Sequence, residues 1–104
     1  MGTRRKGREL ALQVLYQIEL TGDASTTAVE LFMGHFEGSA MAREFARRLV
    51  SGVSTNKEKI DRLIEQSADH WRLRRMAKVD LTILRMATYE MLFCSDIPMN
   101  VSMD

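Results

Sequence analysis

Apolar residues recur every three or four positions along most of this chain, the spacing that places them on one face of an α-helix. The cleanest example is the stretch 40–53, which fits a period of 3.6 residues. Alternation of apolar with polar residues, the pattern of a half-buried strand, is rare, and the chain has one proline. The pattern therefore predicts an all-α fold, a helical bundle.

Capping and turn residues set the predicted limits of these helices. The five ranges are Thr3 to Gly22, Thr27 to about Phe36, Ala40 to Val53, Thr55 to a break at 70–74, and from that break to about Cys94. Thr3 is a candidate N-cap, and Gly22 suits the residue that follows a helix. Capping boxes are predicted for the second and fourth helices, formed by Thr27 with Glu30 and by Thr55 with Glu58. The proline of the segment 96–98 stops the fifth.

The same periodicity predicts the core. Its members are Ala11, Val14, Leu15 and Ile18 in helix one; Val29, Leu31, Phe32 and Phe36 in helix two; Met41, Ala42, Phe45, Ala46, Leu49, Val50 and Val53 in helix three; and Ile60, Leu63, Ile64 and Ala68 in helix four. Helix one has a second apolar row opposite its core stripe, formed by Leu12, Tyr16 and Leu20. Either this helix packs on two sides or the second row is a docking surface, and the pattern leaves both open.

Helix five is apolar on almost every side. The exception is a polar strip formed by Lys78, Thr82, Arg85 and Tyr89. Asp80 lies off that strip, among apolar residues, and burying an unpaired carboxylate there would be costly. We therefore expect Asp80 to meet a cation or a hydrogen-bond donor, either within this chain or from another protein.

Composition limits the remaining possibilities. A chain of 104 residues forms one domain and can bury a core without disulfides or metal. Cys94 is the only cysteine, which excludes an internal disulfide and favours the cytoplasm. No segment has the length and apolarity of a membrane span, and the N-terminus lacks the apolar stretch of a signal peptide. The net charge of +1 gives no general affinity for polyanions, so a basic function must be local.

Catalytic and metal-binding patterns are weak. His35 and His70 stand apart from other candidate ligands, and the chain has no phosphate-binding loop or nucleophile motif. Acidic residues on helix four fit a solvated face with ion pairs, since Lys57 precedes Asp61 by four positions. The sequence therefore predicts a protein that is not an enzyme and has neither a cofactor nor a metal.

A dense basic cluster begins the first helix. Its four cations are Arg4, Arg5, Lys6 and Arg8. On a helical wheel they point in different directions, as expected where a helix projects beyond its core. That arrangement suits contact with a phosphate backbone, although a frayed, solvated terminus has the same composition.

Three blocks carry a resemblance to a known family. They are RRKGRELALQVLYQIELTG, FARRLVSGVSTNKEKIDRLI, and WRLRRMAKVDLTILRMATYEMLF followed by DIPMNVSMD. Together they resemble the NusB family of bacterial transcription antitermination factors. The resemblance implies two small helical bundles packed together, and binding to the boxA element of ribosomal RNA transcripts. It also implies pairing with the ribosomal protein NusE within an antitermination complex on RNA polymerase.

The resemblance also implies roles for individual residues. RNA would contact Arg4, Arg5, Lys6 and Arg8. NusE would contact Tyr16 and Asp80. Leu20 follows Tyr16 in the second apolar row of helix one, so we expect it to take part in the same contact. Gly7 replaces the alanine usual within the basic motif, so we expect a loss of about 1 kcal/mol of local helix stability and a more disordered end.

Family members continue beyond the VSMD stretch, so we expect this chain to be a fragment or a truncated form. It would then be a single NusB-like domain, with a first bundle over about 1–55 and a partial second bundle over about 56–104. The shortened bundle would expose apolar side chains of helix five and favour self-association.

Two alternatives to an antitermination factor remain open. One is a NusB-like RNA-binding module that precedes the catalytic domain of a ribosomal RNA cytosine methyltransferase. The other is a helical protein-interaction module that does not bind RNA.

Overall fold

The computed structural model of the protein describes residues 2–67 and 75–94. Within these residues the regular elements are all α-helices, which confirms the predicted fold class. They are α1 (Thr3–Thr21), α2 (Thr26–Met33), α3 (Ala40–Thr55), α4 (Lys57–Ser67) and α5 (Lys78–Phe93). Ala68 as a core residue, the break at 70–74 and the stop at 96–98 lie outside the described residues.

The chain divides into two compact units, Met1–Ser51 and Gly52–Asp104. α1, α2 and most of α3 belong to the first unit, and the last turn of α3 belongs to the second with α4 and α5. The grouping of both bundles into one domain stays a prediction. In the described part of the chain, no helix combines the length and apolarity that a membrane crossing requires.

The limits of α1 are close to those predicted, but its start differs. Gly22 has the left-handed conformation (φ 76°), and its N–H donates to the carbonyl of Ile18, which confirms the predicted end. Thr3 is already helical, and Gly2 occupies the N-cap position without a side-chain cap. The N-cap prediction for Thr3 is therefore wrong, because helical hydrogen bonding begins one residue earlier, from the Lys6 N–H to the Gly2 carbonyl.

The core of α1 follows the predicted stripe with small changes. The buried residues are Gly7, Leu10, Ala11, Val14 and Leu15. Ile18 is half-buried, and the second apolar row runs from half-buried Leu12 to Leu20, which is 51% exposed. This row is therefore accessible in part, most of all at Leu20.

α2 starts with a different cap from the one predicted. The Ala28 N–H donates to Oγ of Ser25, which is the N-cap, so the capping box of Thr27 with Glu30 is wrong. Glu30 instead accepts two hydrogen bonds from Arg47 of α3, at 2.8 and 3.0 Å. The hydrogen bonds from Arg47 hold the pKa of Glu30 below its usual value.

The buried face of α2 also differs from the prediction. Ala28 and Met33 are buried, whereas Leu31 is 63% exposed and Val29 and Phe32 are half-buried. Phe36, beyond the helix, is half-buried too. Apolar residues occur on nearly every side of this short helix, so periodicity alone could not select the buried face.

α3 confirms most of the predicted core. Six of its seven predicted core residues are buried: Ala42, Phe45, Ala46, Leu49, Val50 and Val53. Met41, in the first turn of α3, is 70% exposed, so its place in the predicted core is wrong. Thr55 ends α3, and Asn56 separates the two helices, so the predicted capping box of Thr55 with Glu58 is wrong. Asn56 instead donates through Nδ2 to the carbonyl of Gly52 at 2.8 Å.

The second unit reverses the expected orientation of α5. Its buried residues are Leu81, Thr82, Arg85, Met86, Tyr89 and Glu90. Its exposed apolar residues are Val79, Ile83, Met91 and Leu92. Most of the polar strip therefore faces inward. On the neighbouring α4, Ile60 and Ile64 are buried and Leu63 is half-buried.

An ion pair between α4 and α5 explains this orientation. Nε and Nη2 of Arg85 donate to the two carboxylate oxygens of Asp61 at 2.8 and 2.9 Å. The side chains of Arg85 and Asp61 are 8% and 22% exposed. The interpretation of Asp61 as part of a solvated face is therefore wrong. Thr82 is also satisfied, because its hydroxyl donates to the carbonyl of Lys78 at 2.7 Å.

The close approach of Tyr89 to α3 depends on a glycine. A Cβ atom placed at Gly52 would lie 2.0 Å from Cζ and 2.3 Å from the hydroxyl oxygen of Tyr89. Tyr89 is 9% exposed and has little room to move. Its ring therefore packs directly on the helix backbone, and any side chain at position 52 would displace it.

We predict that Gly52→Ala destabilises the protein despite the higher helix propensity of alanine. Overpacking costs typically 1–3 kcal/mol and alanine returns about 1 kcal/mol, so we expect a net loss of about 2 kcal/mol, given the short distance. Urea unfolding followed by circular dichroism measures this. The control is Gly34→Ala, because Gly34 has φ −67° and the nearest atom to an added Cβ is 3.4 Å away. Equal stability of the two variants would contradict the packing argument.

Candidate nucleic-acid interface

The four cations of α1 fall into two pairs with different surroundings. Arg5 and Lys6 are exposed, whereas Arg4 and Arg8 are half-buried. Gly7, between them, is buried. The expectation that the first turns of α1 project beyond the core is therefore wrong, because this end of the helix packs against α3.

Arg4 and Arg8 share one aromatic ring. The Cζ atoms of their guanidinium groups lie 5.3 and 5.8 Å from the centroid of the Phe45 ring, within cation–π range. Nη1 of Arg4 and Nη2 of Arg8 are buried. The four-residue spacing places both arginines on the same face of α1, so one phenylalanine of α3 serves both.

Gly7 allows α1 to come this close to α3. A Cβ atom at position 7 would lie 2.6 Å from Cδ2 of Phe45 and 3.1 Å from the carbonyl oxygen of Ala42. The expectation that Gly7 leaves this end disordered is therefore wrong. The helix is regular from Thr3 onward, and the missing side chain is the condition for packing.

Arg5 and Lys6 both lie near one carboxylate, that of Glu9. Nε of Arg5 and Nζ of Lys6 are each 3.8 Å from an oxygen of Glu9. All three side chains are at least half exposed, so each pair adds little stability and readily gives way to another anion. The sequence analysis did not identify Glu9, although it lies three residues after Lys6 and four after Arg5, a spacing that predicts ion pairs on a helix.

A shallow depression lies beside this cluster. Its lining residues are Gly2, Thr3, Lys6, Glu37, Gly38, Ser39 and Arg43. Arg43 donates to the carbonyl oxygens of Met33 and Phe36, which fixes the end of α2. The guanidinium of Arg43 therefore has a structural role, and Lys6 is the cation of this depression that an anion could reach.

The residues predicted to contact a protein partner are accessible, at least in part, within their own units. Tyr16 is half-buried and Leu20 is 51% exposed in the first unit. Asp80 is exposed in the second unit, in the first turn of α5, where the helix dipole favours a carboxylate. The expected cost of burying Asp80 therefore does not arise.

In the described ranges 2–67 and 75–94, no three histidine, cysteine or acidic residues come together as a metal site. Cys94 is buried at the end of α5, and His35 is exposed after α2. His70 lies outside the described residues. The arrangement that stands out in chemical terms is therefore the basic end of α1.

Comparisons with known proteins agree with this reading of the chain. The NusB family model matches residues 5–104. A transcription antitermination protein NusB from Desulfatibacillum aliphaticivorans is 44% identical over the whole chain, which covers 73% of that protein. Proteins of the same name from Geobacter sulfurreducens and Syntrophus aciditrophicus are 48% and 43% identical, and the chain covers 76% and 65% of them. No solved structure matches the chain significantly. On this evidence the chain belongs to the NusB family.

Proposed function

We propose that this protein is a transcription antitermination factor that binds RNA through the basic end of α1. Two observations together carry the proposal. The relatives are named for antitermination, and this chain brings four cations together on the first two turns of one helix. Those names also agree with the prediction that the chain is not an enzyme.

Charge and exposure favour a nucleic-acid ligand at this site. Arg5 and Lys6 reach solvent, and Arg4 and Arg8 keep part of their surface accessible. Four cations within five positions give this end of α1 a high local positive charge, although the net charge of the chain is only +1. The ligand we propose is single-stranded RNA containing a boxA-like element of a ribosomal RNA transcript.

Two further surfaces, one on each unit, serve a protein partner in this proposal. Tyr16 and Leu20 of the first unit, and Asp80 of the second, would contact the ribosomal protein NusE. The protein would then act in the cytoplasm, as part of an antitermination complex on RNA polymerase. Tyrosine combines an apolar ring with a hydroxyl group and is enriched at interface hot spots, which supports Tyr16 as a contact residue. The relatives' names favour this function over a methyltransferase module.

Replacing Arg4, Arg5, Lys6 and Arg8 by alanine should weaken RNA binding for all sequences. Each phosphate neutralised on a single strand contributes about −0.7 to the slope of log K against log salt, so the cluster supplies at most about −3. The variant should lose that part of the slope. Fluorescence anisotropy with a boxA-like RNA, at several salt concentrations, measures it.

The matched control removes four cations from the second unit, namely Lys57, Lys59, Arg62 and Lys78. It changes net charge equally, so any general electrostatic effect appears in both variants. An unchanged slope in the α1 variant, or an equal loss in the control, would rule out the basic end of α1 as the RNA site.

Glu9→Gln should strengthen RNA binding. Its carboxylate competes with phosphate for Arg5 and Lys6, and each exposed pair is worth about 0.2–1 kcal/mol. Removing both pairs, worth about 0.4–2 kcal/mol together, should raise affinity by about two- to thirtyfold at low salt, with a smaller gain at high salt. Glu58→Gln on α4 is the control for charge alone. An equal gain in both variants would show that Glu9 does not act locally.

Tyr16→Ala should cost about 2 kcal/mol or more in affinity for the ribosomal protein, the usual hot-spot threshold.

Asp80→Asn should weaken the same binding while the melting temperature changes little, because Asp80 is exposed. Isothermal titration calorimetry and thermal unfolding measure the two effects. Leu31→Ala, at another exposed apolar position of the first unit, is the control. A sharp fall in melting temperature for Asp80→Asn with unchanged affinity would refute the docking role.

A further inference from the structure

We propose that Phe45 is a positioning residue for RNA binding, because its ring holds the guanidinium groups of Arg4 and Arg8 in place before RNA arrives. This inference rests on the proposed function, since it concerns the same basic end of α1. It adds a residue of α3 that carries no charge and lies far from the cluster in sequence.

The geometry separates positioning from direct contact. Phe45 is 9% exposed, so its ring is not available to stack on a base. Both guanidinium groups lie within 6 Å of its centroid, at 5.3 and 5.8 Å. The negative face of the ring attracts these cations and limits their motion. Phe45 therefore acts on RNA only through the two arginines.

Holding the two guanidinium groups in place should raise RNA affinity, because it preorganises the site. A free arginine side chain loses rotamer freedom when it closes on a phosphate, and that loss weakens binding. Arg4 and Arg8 are already restrained, since each has a buried guanidinium nitrogen and lies against the ring. Arg5 and Lys6 are exposed and lack this aromatic support. The cluster thus combines two cations restrained by the ring with two exposed cations beside Glu9.

Gly7 couples this positioning to the packing of the helices. The ring reaches the arginines because no side chain separates α1 from α3 at position 7, where an added Cβ would lie 2.6 Å from the ring. A larger residue at position 7 would move the ring away from at least one guanidinium group. Gly7 therefore contributes to the site without contacting RNA.

The test is Phe45→Leu, which keeps an apolar side chain but removes the aromatic face. We expect the Kd for a boxA-like RNA to rise by about three- to tenfold, the size of a typical cation–π contribution. The salt slope should stay unchanged, because the four cations remain. Phe45→Tyr, which keeps the ring, should bind within about twofold of the natural protein. Val50→Ala, another buried position of α3, controls for loss of stability.

The double variant Arg4→Ala/Arg8→Ala tests whether Phe45 acts on RNA binding through these two arginines. Phe45→Leu should have no further effect on RNA affinity in this double variant, since no guanidinium remains for the ring to hold. A further loss there, or an unchanged Kd for Phe45→Leu in the natural background, would overturn the positioning role.

A spectroscopic readout keeps the proposal testable if Phe45→Leu fails to fold. In the natural protein, the Nε–Hε signals of Arg4 and Arg8 should show ring-current shifts that Arg5 lacks. Absence of these shifts would also overturn the proposal. If the four-cation variant binds RNA normally, the RNA site itself is wrong; if that variant loses binding but Phe45→Leu does not, only the positioning role is wrong.

Discussion

Two helix contacts in this protein depend on a glycine that faces an aromatic ring. In the first unit, Gly7 of α1 lets the ring of Phe45 approach the helix backbone. In the second unit, Gly52 of α3 does the same for Tyr89. Interiors are close-packed, so a single added methyl group at either position must displace a ring. The basic end of α1 and the buried face of α5 both rest on these contacts.

The first of these contacts also determines how the charges are displayed. Four cations in five positions would repel one another if all extended into solvent. Here Phe45 attracts two of them, and Glu9 screens the other two. The site is thus charged enough to attract phosphate, while its self-repulsion is reduced in the free protein.

Periodicity and turn chemistry predicted the helical class, the end of α1 at Gly22 and most of the core of α3. They failed where partners distant in sequence decide the outcome. The face of α5 depends on Asp61, 24 positions before Arg85, and no local pattern reveals that pair. Likewise, Gly7 looks like a weakness of the helix until Phe45 is placed against it. The four cations could be identified from the sequence because they lie within one short segment. The role of Phe45 could not, because it depends on contacts with residues far away in sequence.

The ion pair of Arg85 with Asp61 determines which face of α5 is buried. A helix with apolar residues on nearly every side gains similar energy from burying any of them, so hydrophobicity alone leaves its rotation about its axis poorly defined. A two-pronged hydrogen bond to α4 is satisfied at one rotation only. The helix is held at that angle, and Ile83 and Leu92 are left outside as a result. In this unit the ion pair fixes one rotation of α5, and some apolar side chains of that helix remain exposed as a consequence.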